Sequence, residues 1–339
     1  MKVSFLITYY NQAKFVKQSL ESCLFQTYKG ELEILVADDG STDETCSIVQ
    51  AYIDKYPNII KLFQMPREHG KVYNSIERVS AARLFLLEKA TGDYFCTLDG
   101  DDWYCNNTYL QKGIDILEKD KTIAACAFLY QMWYDENHIE KSSWYKKSKR
   151  VPAWEYIRGK YIHAGACIHR RDISGDDFAL VKNEGIFDDN DILIYTLNKG
   201  DLYFIPEIIY SYRQTEGSSW NSSSFLLRNL INVWTYELEN KFSNYKKDIL
   251  FRYSNEIYYL FKHKSEIIQL YSDKNALYFN YTNNNDTVFL NSILNYESIS
   301  FGDRKLFDKK FSQVSINVHL NNCLLYKFVR KSKRLLNKR

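Results

Sequence analysis

Short apolar runs alternate with segments of helical periodicity over the first 110 residues. The runs at residues 3–8, 32–37, 59–63 and 94–98 are bounded by polar residues, as the buried strands of a parallel sheet are. Between these runs, apolar side chains recur every three or four positions, which is the spacing of an amphipathic helix. Strands that alternate with helices predict the α/β class, with a doubly wound, mostly parallel sheet flanked by helices.

The pattern changes character near residue 217. Before that point, apolar runs at 123–130 and 202–212 predict two further strands. Beyond it the spacing is helical, at residues 225–236, 249–261 and 267–271. We therefore predict one α/β domain over residues 1–216 and a helical C-terminal region over residues 217–339.

Polar or acidic residues follow three of the predicted strands, at positions 9–11, 38–40 and 99–102. The carboxyl ends of parallel strands meet at one edge of a sheet, and ligand sites of open α/β sheets lie outside that edge. The sequence therefore predicts a ligand site built from these three turns.

The turn at Asp99-Gly100-Asp101-Asp102 places three carboxylates side by side. Such groups repel one another unless a cation or hydrogen-bond donors offset the charge. Hard oxygen ligands at a strand end suit Mg²⁺ or Mn²⁺, which are commonly shared with a substrate phosphate. The alternative is an acidic turn that caps the next helix, because Asp and Gly are common turn residues. The turn by itself leaves both interpretations open.

Composition and charge exclude several classes of protein. The chain of 339 residues has a net charge of only +3, so no global field predicts a nucleic-acid partner. Its seven cysteines form no CxxC pair, which argues against a zinc site or a disulfide framework and favours a reducing cytosol. The first apolar run is too short for a signal peptide, and no segment approaches the 18 apolar residues of a membrane span.

Two basic segments have two interpretations each. Residues 324–339 carry seven basic and no acidic residues among apolar ones, which indicates an amphipathic helix on an anionic membrane surface or else a solvated tail. Residues 141–150 combine five basic residues with Trp144 and Tyr145. That segment is a solvated loop, or it contacts an anionic acceptor or lipid head group. We predict a cytoplasmic protein, peripheral at the inner face of the cell membrane if the tail binds lipid.

Five segments of the chain resemble the ordered motifs of family 2 glycosyltransferases, including the DxD motif. They extend over about 100 residues at similar spacing, which makes the set specific although each motif alone is weak. The segments are residues 3–11, 26–28, 34–43, 80–83 with 90–94, and 98–102. The resemblance implies a GT-A fold and transfer of a sugar from a nucleotide donor. It divides the α/β domain into a nucleotide-binding half (1–110) and an acceptor half (111–216).

The resemblance assigns the base of the donor to the first two strand ends. Thr8, Tyr9 and Asn11 lie where a base can stack on the tyrosine ring, an interaction of about 1–3 kcal/mol. Asp39 matches a carboxylate that accepts a hydrogen bond from a uracil-type base. The neighbouring Asp38 is expected to cap a helix.

The resemblance assigns the ribose and diphosphate to the DxD turn. Asp99 would face the ribose and also contact the metal, Gly100 would border the donor, and Asp101 would hold the Mn²⁺ or Mg²⁺ that bridges the diphosphate. A divalent ion offsets the charge that develops on the leaving nucleoside diphosphate. Arg83 would bind the diphosphate or hold Asp99, and its other interpretation is a structural ion pair.

The acceptor half resembles the family in two further segments. Residues 163–171 match the strand before the acceptor site, where His163 would touch the donor sugar or phosphate unless it is structural. Residues 185–194 match a segment whose acids open a helix. An inverting transfer needs a base for the acceptor hydroxyl, and Asp189 is the predicted base, with Asp191 as the alternative. At least two of these acids are expected to cap the helix instead.

The chain departs from the family at Thr215, where relatives often have a histidine that reaches the metal or phosphate. Our main hypothesis is a bacterial inverting, metal-dependent glycosyltransferase that extends a surface polysaccharide such as capsule. It would use a nucleotide sugar, preferably UDP-linked, and a glycan or lipid-linked acceptor. The alternative is a non-catalytic nucleotide-sugar-binding or scaffold protein of a glycan assembly complex. A third interpretation is a nucleotidyltransferase, which would require a Gly-rich basic loop after the first strand, and this chain lacks such a loop.

Overall fold

The computed structural model describes residues 1–67, 75–159, 161–184, 187–214 and 239–253, with residues 232 and 235. The chain divides into two compact units, one of residues 1–222 with 242–244 and the other of residues 223–241 with 245–339. The domain boundaries predicted at residues 110 and 216 stay predictions.

The first 100 residues form the predicted alternation of strands and helices. Strand β1 pairs in parallel with β2 on one side and with β4 on the other, and β2 pairs in parallel with β3. The elements are β1 (Lys2–Tyr9), α1 (Ala13–Leu24), β2 (Glu31–Asp38), α2 (Thr45–Lys55), β3 (Ile60–Gln64), α3 (Ser75–Lys89) and β4 (Tyr94–Asp99).

The rest of the first unit extends the same sheet. The elements are β5 (Trp103–Tyr104), α4 (Tyr109–Lys119), β6 (Ile123–Asp135), β7 (His138–Lys141), β8 (Lys149–Val151), α5 (Ala153–Ile157), a 3-10 turn (Ala164–Ala166), β9 (Cys167–Arg170), α6 (Asp176–Glu184), α7 (Asp189–Leu197) and β10 (Asp201–Arg213). In the second unit the structure describes α8 (Lys246–Arg252).

The main path of the sheet runs in the order β3-β2-β1-β4-β9-β6-β10-β5, and β9 is antiparallel to both of its neighbours. The register places Thr8 beside Asp99 and Tyr9 beside Asp38, so the ends of β1, β2 and β4 meet at one edge. This is the convergence of polar turns that the apolar runs predict. The sheet is mostly parallel, as predicted, and one antiparallel strand joins its two parallel parts.

Burial explains why β1 lacks the alternation of an exposed strand. Its residues from Val3 to Tyr9 are all buried, because helices cover both faces of a parallel sheet. Ser4 is a buried polar residue in this run, and its hydroxyl has a hydrogen-bond partner. The Ser4 hydroxyl donates to Glu33 Oε1 at 2.6 Å, and Glu33 also accepts from the backbone of Thr91.

The turn after β4 does not lead directly into a helix. The alternative in which the acids of this turn cap a helix does not hold, because Trp103 and Tyr104 follow them, form β5 and pair antiparallel with β10. The next helix begins at Tyr109. A two-residue strand is shorter than any window in which periodicity can be recognised.

The basic segment 141–150 is tied to the domain at several points, although it was expected to be a loop. Its end forms β8, and Arg150 pairs with Asp201 at 2.7 Å. Trp144 packs edge-on against Phe204, with ring centroids 4.8 Å apart. The exposed basic residues of the segment are Lys141, Lys146, Lys147 and Arg150. Contact with an anionic acceptor or lipid stays a prediction.

Several sequence predictions lie outside the described residues. They concern Thr215, the helix predicted at 267–271, most of the helix predicted at 225–236, and the basic tail at 324–339. Within the described ranges, none of the helices combines the length and the apolar content that crossing a bilayer requires. The six cysteines of the described residues are free thiols.

Candidate active site

The site begins where β1 and β4 end side by side. The backbone N–H of Gly100 donates to the carbonyl of Thr8 at 3.0 Å, and Thr8 lies beside Asp99 in the register of the two strands. A Cβ at position 100 would overlap the ring of Tyr9 and Oε1 of Gln12. Glycine is therefore required in this turn by the close approach of the first strand end.

The first two acids of the DxD turn have pKa values shifted in opposite directions. Burial raises the pKa of Asp101 to about 6, and the neighbouring charge of Asp99 adds to the effect. Burial also raises the pKa of Asp99, but the charge of Arg83 and the neighbouring His163 outweigh it and leave that pKa below its usual value. Asp99 is therefore ionised at neutral pH, whereas Asp101 loses its proton at about pH 6.

Asp102 has a structural role in the turn. It is 1% exposed, its Oδ2 accepts from the Tyr210 hydroxyl at 2.6 Å, and its Oδ1 accepts from the backbone N–H of Arg213 at 2.7 Å. Burial, followed by the charges of Asp101 and Asp99, raises its pKa well above the usual value. The side chain therefore joins the turn after β4 to strand β10.

The donor set of the turn fits a hard divalent cation. Asp99, Asp102 and His163 each offer an atom within 4.8 Å of the other two. Of these residues, only Asp99 belongs to the predicted metal pair, and both oxygens of Asp102 already accept hydrogen bonds. Asp101 is half-buried, and a cation would relieve its repulsion with Asp99. Its role as a metal ligand stays a prediction.

The predicted stacking of a base on the ring of Tyr9 is wrong. Tyr9 is 1% exposed, and its hydroxyl lies 2.5 Å from that of Ser19, so the ring belongs to the core. The exposed ring at this strand end is Tyr10, with 45% of its surface accessible. The guanidinium of Arg67 lies 3.9 Å from the centre of that ring.

Asp39 lies beside these residues and is held by two arginines. One of its carboxylate oxygens pairs with Arg67 and the other with Arg78. A carboxylate oxygen has two lone pairs, so this pairing is compatible with a further donor from a bound base. The hydrogen bond from a uracil-type base stays a prediction.

Asn11 has a strained backbone, with φ at +50°. Its Oδ1 accepts from the backbone N–H of Thr42 at 2.8 Å, and its own N–H donates to the Ser41 hydroxyl at 2.8 Å. Asn tolerates this left-handed conformation better than most residues do. Asn11 therefore fixes the two nucleotide-side turns relative to each other, and direct donor contact stays a prediction.

Arg83 joins the DxD turn to the N-terminus of α7. Its Nη2 lies 2.7 Å from Asp99 Oδ1 and 3.2 Å from Asp189 Oδ1, and its Nη1 lies 3.5 Å from Asp188 Oδ1. The arginine is only 6% exposed, so these charges interact in a weakly screened environment. Arg83 was predicted to bind the diphosphate or to hold Asp99. The structure shows the contact with Asp99, and it adds two further carboxylates that the sequence did not connect to Arg83.

The three acids at the start of α7 have different roles. Asp188 is the N-cap, and its Oδ1 accepts from the backbone N–H of Asp189 at 2.7 Å. Asp191 is fully buried, and its Oδ2 accepts from the backbone N–H of Asp188 at 2.9 Å, which completes a capping box. Two of the three acids cap the helix, as the sequence analysis expected. Asp189 instead faces Arg83 and His163.

His163 lies behind Asp189. It is 3% exposed, its Nε2 is 3.6 Å from Asp189 Oδ2, and its Nδ1 accepts from the backbone N–H of Gly165 at 3.2 Å. The ring stacks on Tyr210, with centroids 4.7 Å apart. An acceptor role at Nδ1 leaves the proton of the neutral ring on Nε2, where it faces Asp189. Contact of His163 with a donor sugar stays a prediction.

Three side chains grouped around Asp39 were not among the residues predicted for the donor site, namely Tyr10, Arg67 and Arg78. The doubled tyrosine at 9–10 held a signal, because successive residues of a strand point to opposite faces and only one ring can enter the core. The sequence held no signal for the two arginines, because they pair with Asp39 from a loop and a helix that lie later in the chain.

Comparison with known proteins gives a match to one family. The family model described as glycosyl transferase family 2 matches residues 4–178. An uncharacterized glycosyltransferase of Haemophilus influenzae is 36% identical over 115 residues, which is 34% of this chain and 42% of that protein. An uncharacterized glycosyltransferase of Rickettsia typhi is 26% identical over 247 residues, covering 69% of this chain and 70% of that protein.

The fold also matches a solved structure. The crystal structure of Staphylococcus aureus TarS 1-349 in complex with UDP-GlcNAc has a TM-score of 0.54 and 19% identity, and covers 99% of this chain and 92% of that one. The predicted GT-A architecture is thereby confirmed. The chain spans 42% of the Haemophilus relative and 59% of an uncharacterized Mycobacterium tuberculosis relative.

Proposed function

This chain belongs to glycosyl transferase family 2, and on that premise we propose that it is an inverting, metal-dependent transferase that uses a nucleotide-sugar donor. One observation carries the proposal. Arg83 links Asp99 on the donor side to Asp189 at the start of a helix, so a donor and an acceptor base share one site. A non-catalytic nucleotide-binding protein has no need of the second carboxylate.

The donor we propose is a UDP-sugar. TarS, which shares the fold, has been solved with UDP-GlcNAc. In this chain the exposed ring of Tyr10 offers a stacking face, and Asp39 offers an acceptor for an N–H of the base. A stacked base gains on the order of 1–3 kcal/mol. Thr8, Asn11 and Gly100 border the same edge.

Asp101 and Asp99 are the proposed holders of Mn²⁺ or Mg²⁺. Such an ion, when bound, neutralises charge on the diphosphate of the leaving nucleotide. The acidic pair is offset by Arg83 on one side, and burial, followed by the charge of Asp99, raises the pKa of Asp101 to about 6. Asp102 holds the turn in place through Tyr210.

Asp189 is the proposed general base. The acceptor hydroxyl oxygen attacks the anomeric carbon from the face opposite the diphosphate, and its proton passes to an oxygen of Asp189. The bond from the anomeric carbon to the diphosphate oxygen breaks, and its electron pair leaves with the nucleoside diphosphate. His163 and Arg83 orient the carboxylate, while Asp191 is occupied in the helix cap.

We place the reaction in the synthesis of a bacterial surface polysaccharide, on a glycan or lipid-linked acceptor. Bacterial relatives named as glycosyltransferases support this setting. Residues 1–216 would carry the transfer, and the basic tail at 324–339 would bind the anionic inner face of the cell membrane from the cytoplasm. Nucleic acid has no part in the proposal.

A donor screen tests the proposal. Thermal unfolding is followed in Mn²⁺ with UDP-GlcNAc, UDP-glucose, UDP-galactose, GDP-mannose and UDP alone. A ligand that binds only the folded state raises the unfolding temperature. We expect a rise with UDP and with at least one UDP-sugar, and a much smaller rise for Asp101→Ala. No rise with any nucleotide contradicts the proposal.

A further inference from the structure

Tyr161 is an exposed aromatic side chain two residues before His163, which contacts the proposed base. It is 48% exposed, one of five aromatic side chains in the described ranges with more than a third of their surface accessible. Its ring contact within those ranges is an edge-to-face contact with Tyr130, with centroids 6.3 Å apart at 87°. The exposed rings elsewhere that have a covering group are Tyr10 under Arg67, Tyr134 under His138, and Trp154 beside Arg158.

Direct contacts lead from Tyr161 to Asp189. Tyr130 contacts His163 with ring centroids 5.8 Å apart, and His163 Nε2 lies 3.6 Å from Asp189 Oδ2. Tyr161 is thus connected to the base through the side chains of Tyr130 and His163, and 48% of its surface is accessible.

The surroundings of Tyr161 select the chemistry of a ligand. The negative charges of Asp188 and Asp189, at the start of α7, act on Tyr161 and disfavour a phosphate or carboxylate at this point. The face of an aromatic ring is electron-rich and attracts polarised C–H bonds. A pyranose presents such a face of C–H bonds and also carries the hydroxyl that a transfer requires.

We infer that Tyr161 is the stacking platform for the acceptor, and that the acceptor end is a pyranose without an anionic group on the stacked sugar. The inference rests on the proposed function for the role of Asp189. It adds a binding subsite and a substrate class, namely a neutral glycan terminus.

Binding of simple glycosides tests the platform independently of turnover. Saturation-transfer NMR is recorded with methyl β-D-glucopyranoside, methyl β-D-galactopyranoside and methyl N-acetyl-β-D-glucosaminide, with UDP and Mn²⁺ present. The variants are Tyr161→Ala and Tyr161→Phe. Tyr134→Ala is the matched control, because Tyr134 is also exposed but stacks on His138 away from the base. Thermal unfolding verifies that each variant folds.

We expect at least one glycoside to receive saturation on one face of its ring. Tyr161→Ala should weaken that binding on the order of tenfold or more, as loss of a stacking partner does, while Tyr161→Phe and Tyr134→Ala keep it. Absence of binding by all three glycosides, or equal binding by Tyr161→Ala, overturns the inference.

Donor turnover separates this result from the proposed function. The KM for the UDP-sugar found in the donor screen, measured by its hydrolysis, should be the same for Tyr161→Ala as for the wild type. If its KM for the donor rises at least tenfold instead, the ring contacts the donor sugar and the acceptor platform is overturned. If glycosides bind through Tyr161 but no donor is turned over, the platform stands and the proposed transferase activity fails.

Discussion

Asp189 and Asp191 lie two positions apart on α7 in different surroundings. Asp191 is fully buried within a capping box, whereas Asp189 is 3.2 Å from Arg83 and 3.6 Å from His163. The sequence could narrow the base to this cluster, because acids at a helix N-terminus are visible in it, and the family resemblance placed Asp189 before Asp191. The contact of Asp189 with Arg83 could not be predicted, since Arg83 lies more than a hundred positions earlier.

Asp189→Asn should abolish transfer and spare donor binding. The amide keeps the shape of the side chain but cannot take a proton, and loss of a general base costs about 10²–10⁴ in rate. The matched variant Asp191→Asn should retain transfer and lose about 1 kcal/mol of unfolding free energy, as loss of a cap does. Transfer rates and chemical denaturation check both. Retained transfer in Asp189→Asn would move the base to Asp191.

Asp101 and Asp102 are adjacent and should give opposite phenotypes. Asp101→Asn should remove the metal dependence of donor binding. The folded-state pKa of Asp101 is raised to about 6, so stability falls as the pH rises through 6, and Asp101→Asn should remove this fall. Asp102→Asn leaves one of two buried donors unpaired and should cost about 1–3 kcal/mol of stability.

Metal titrations followed by donor binding, and denaturation between pH 4.5 and 7.5, distinguish the two variants. A metal response that survives in Asp101→Asn but disappears in Asp102→Asn would instead support the cluster of Asp99, Asp102 and His163.

Strand β9 is the element that the apolar pattern describes least well. Its four residues lie between β4 and β6 and run antiparallel to both. A strand this short gives no periodicity, and its direction depends on pairing with distant strands. The long strands β1, β2 and β4 could be predicted because burial on both faces leaves a continuous apolar run in the sequence.

His169 on β9 should make stability depend on pH. It is fully buried, stacks on Phe95 at 4.7 Å, and has its pKa lowered to about 4 by burial. The unfolded chain binds a proton near pH 6.5, so stability falls as the pH drops from 6.5 towards 4, by up to about 3 kcal/mol. Urea unfolding of wild type and His169→Gln measures this. If the unfolding free energy of His169→Gln falls with pH as steeply as that of the wild type, this contradicts a histidine that is buried and neutral in the folded state.

At the scale of the whole molecule, the sequence predicted the fold class and the edge of the sheet that carries the site. Five motifs in order fixed the GT-A fold, and the ends of β1, β2 and β4 meet as the alternation of strands and helices requires. The surroundings of Asp39 were only partly predictable. The accessible ring was predicted at Tyr9 but is that of Tyr10, and Arg67 pairs with Asp39 from another part of the chain. Specificity for an acceptor depends on side chains such as Tyr161, whose neighbours are distant in the chain.

The stereochemistry of transfer tests the central claim most directly. The wild-type chain is incubated with Mn²⁺, the α-linked UDP-sugar that binds best, and methanol as a small acceptor, and the product is observed by proton NMR. A single displacement assisted by Asp189 predicts a methyl β-glycoside and its loss in Asp189→Asn. A methyl α-glycoside, or an equal yield from Asp189→Asn, would contradict the account.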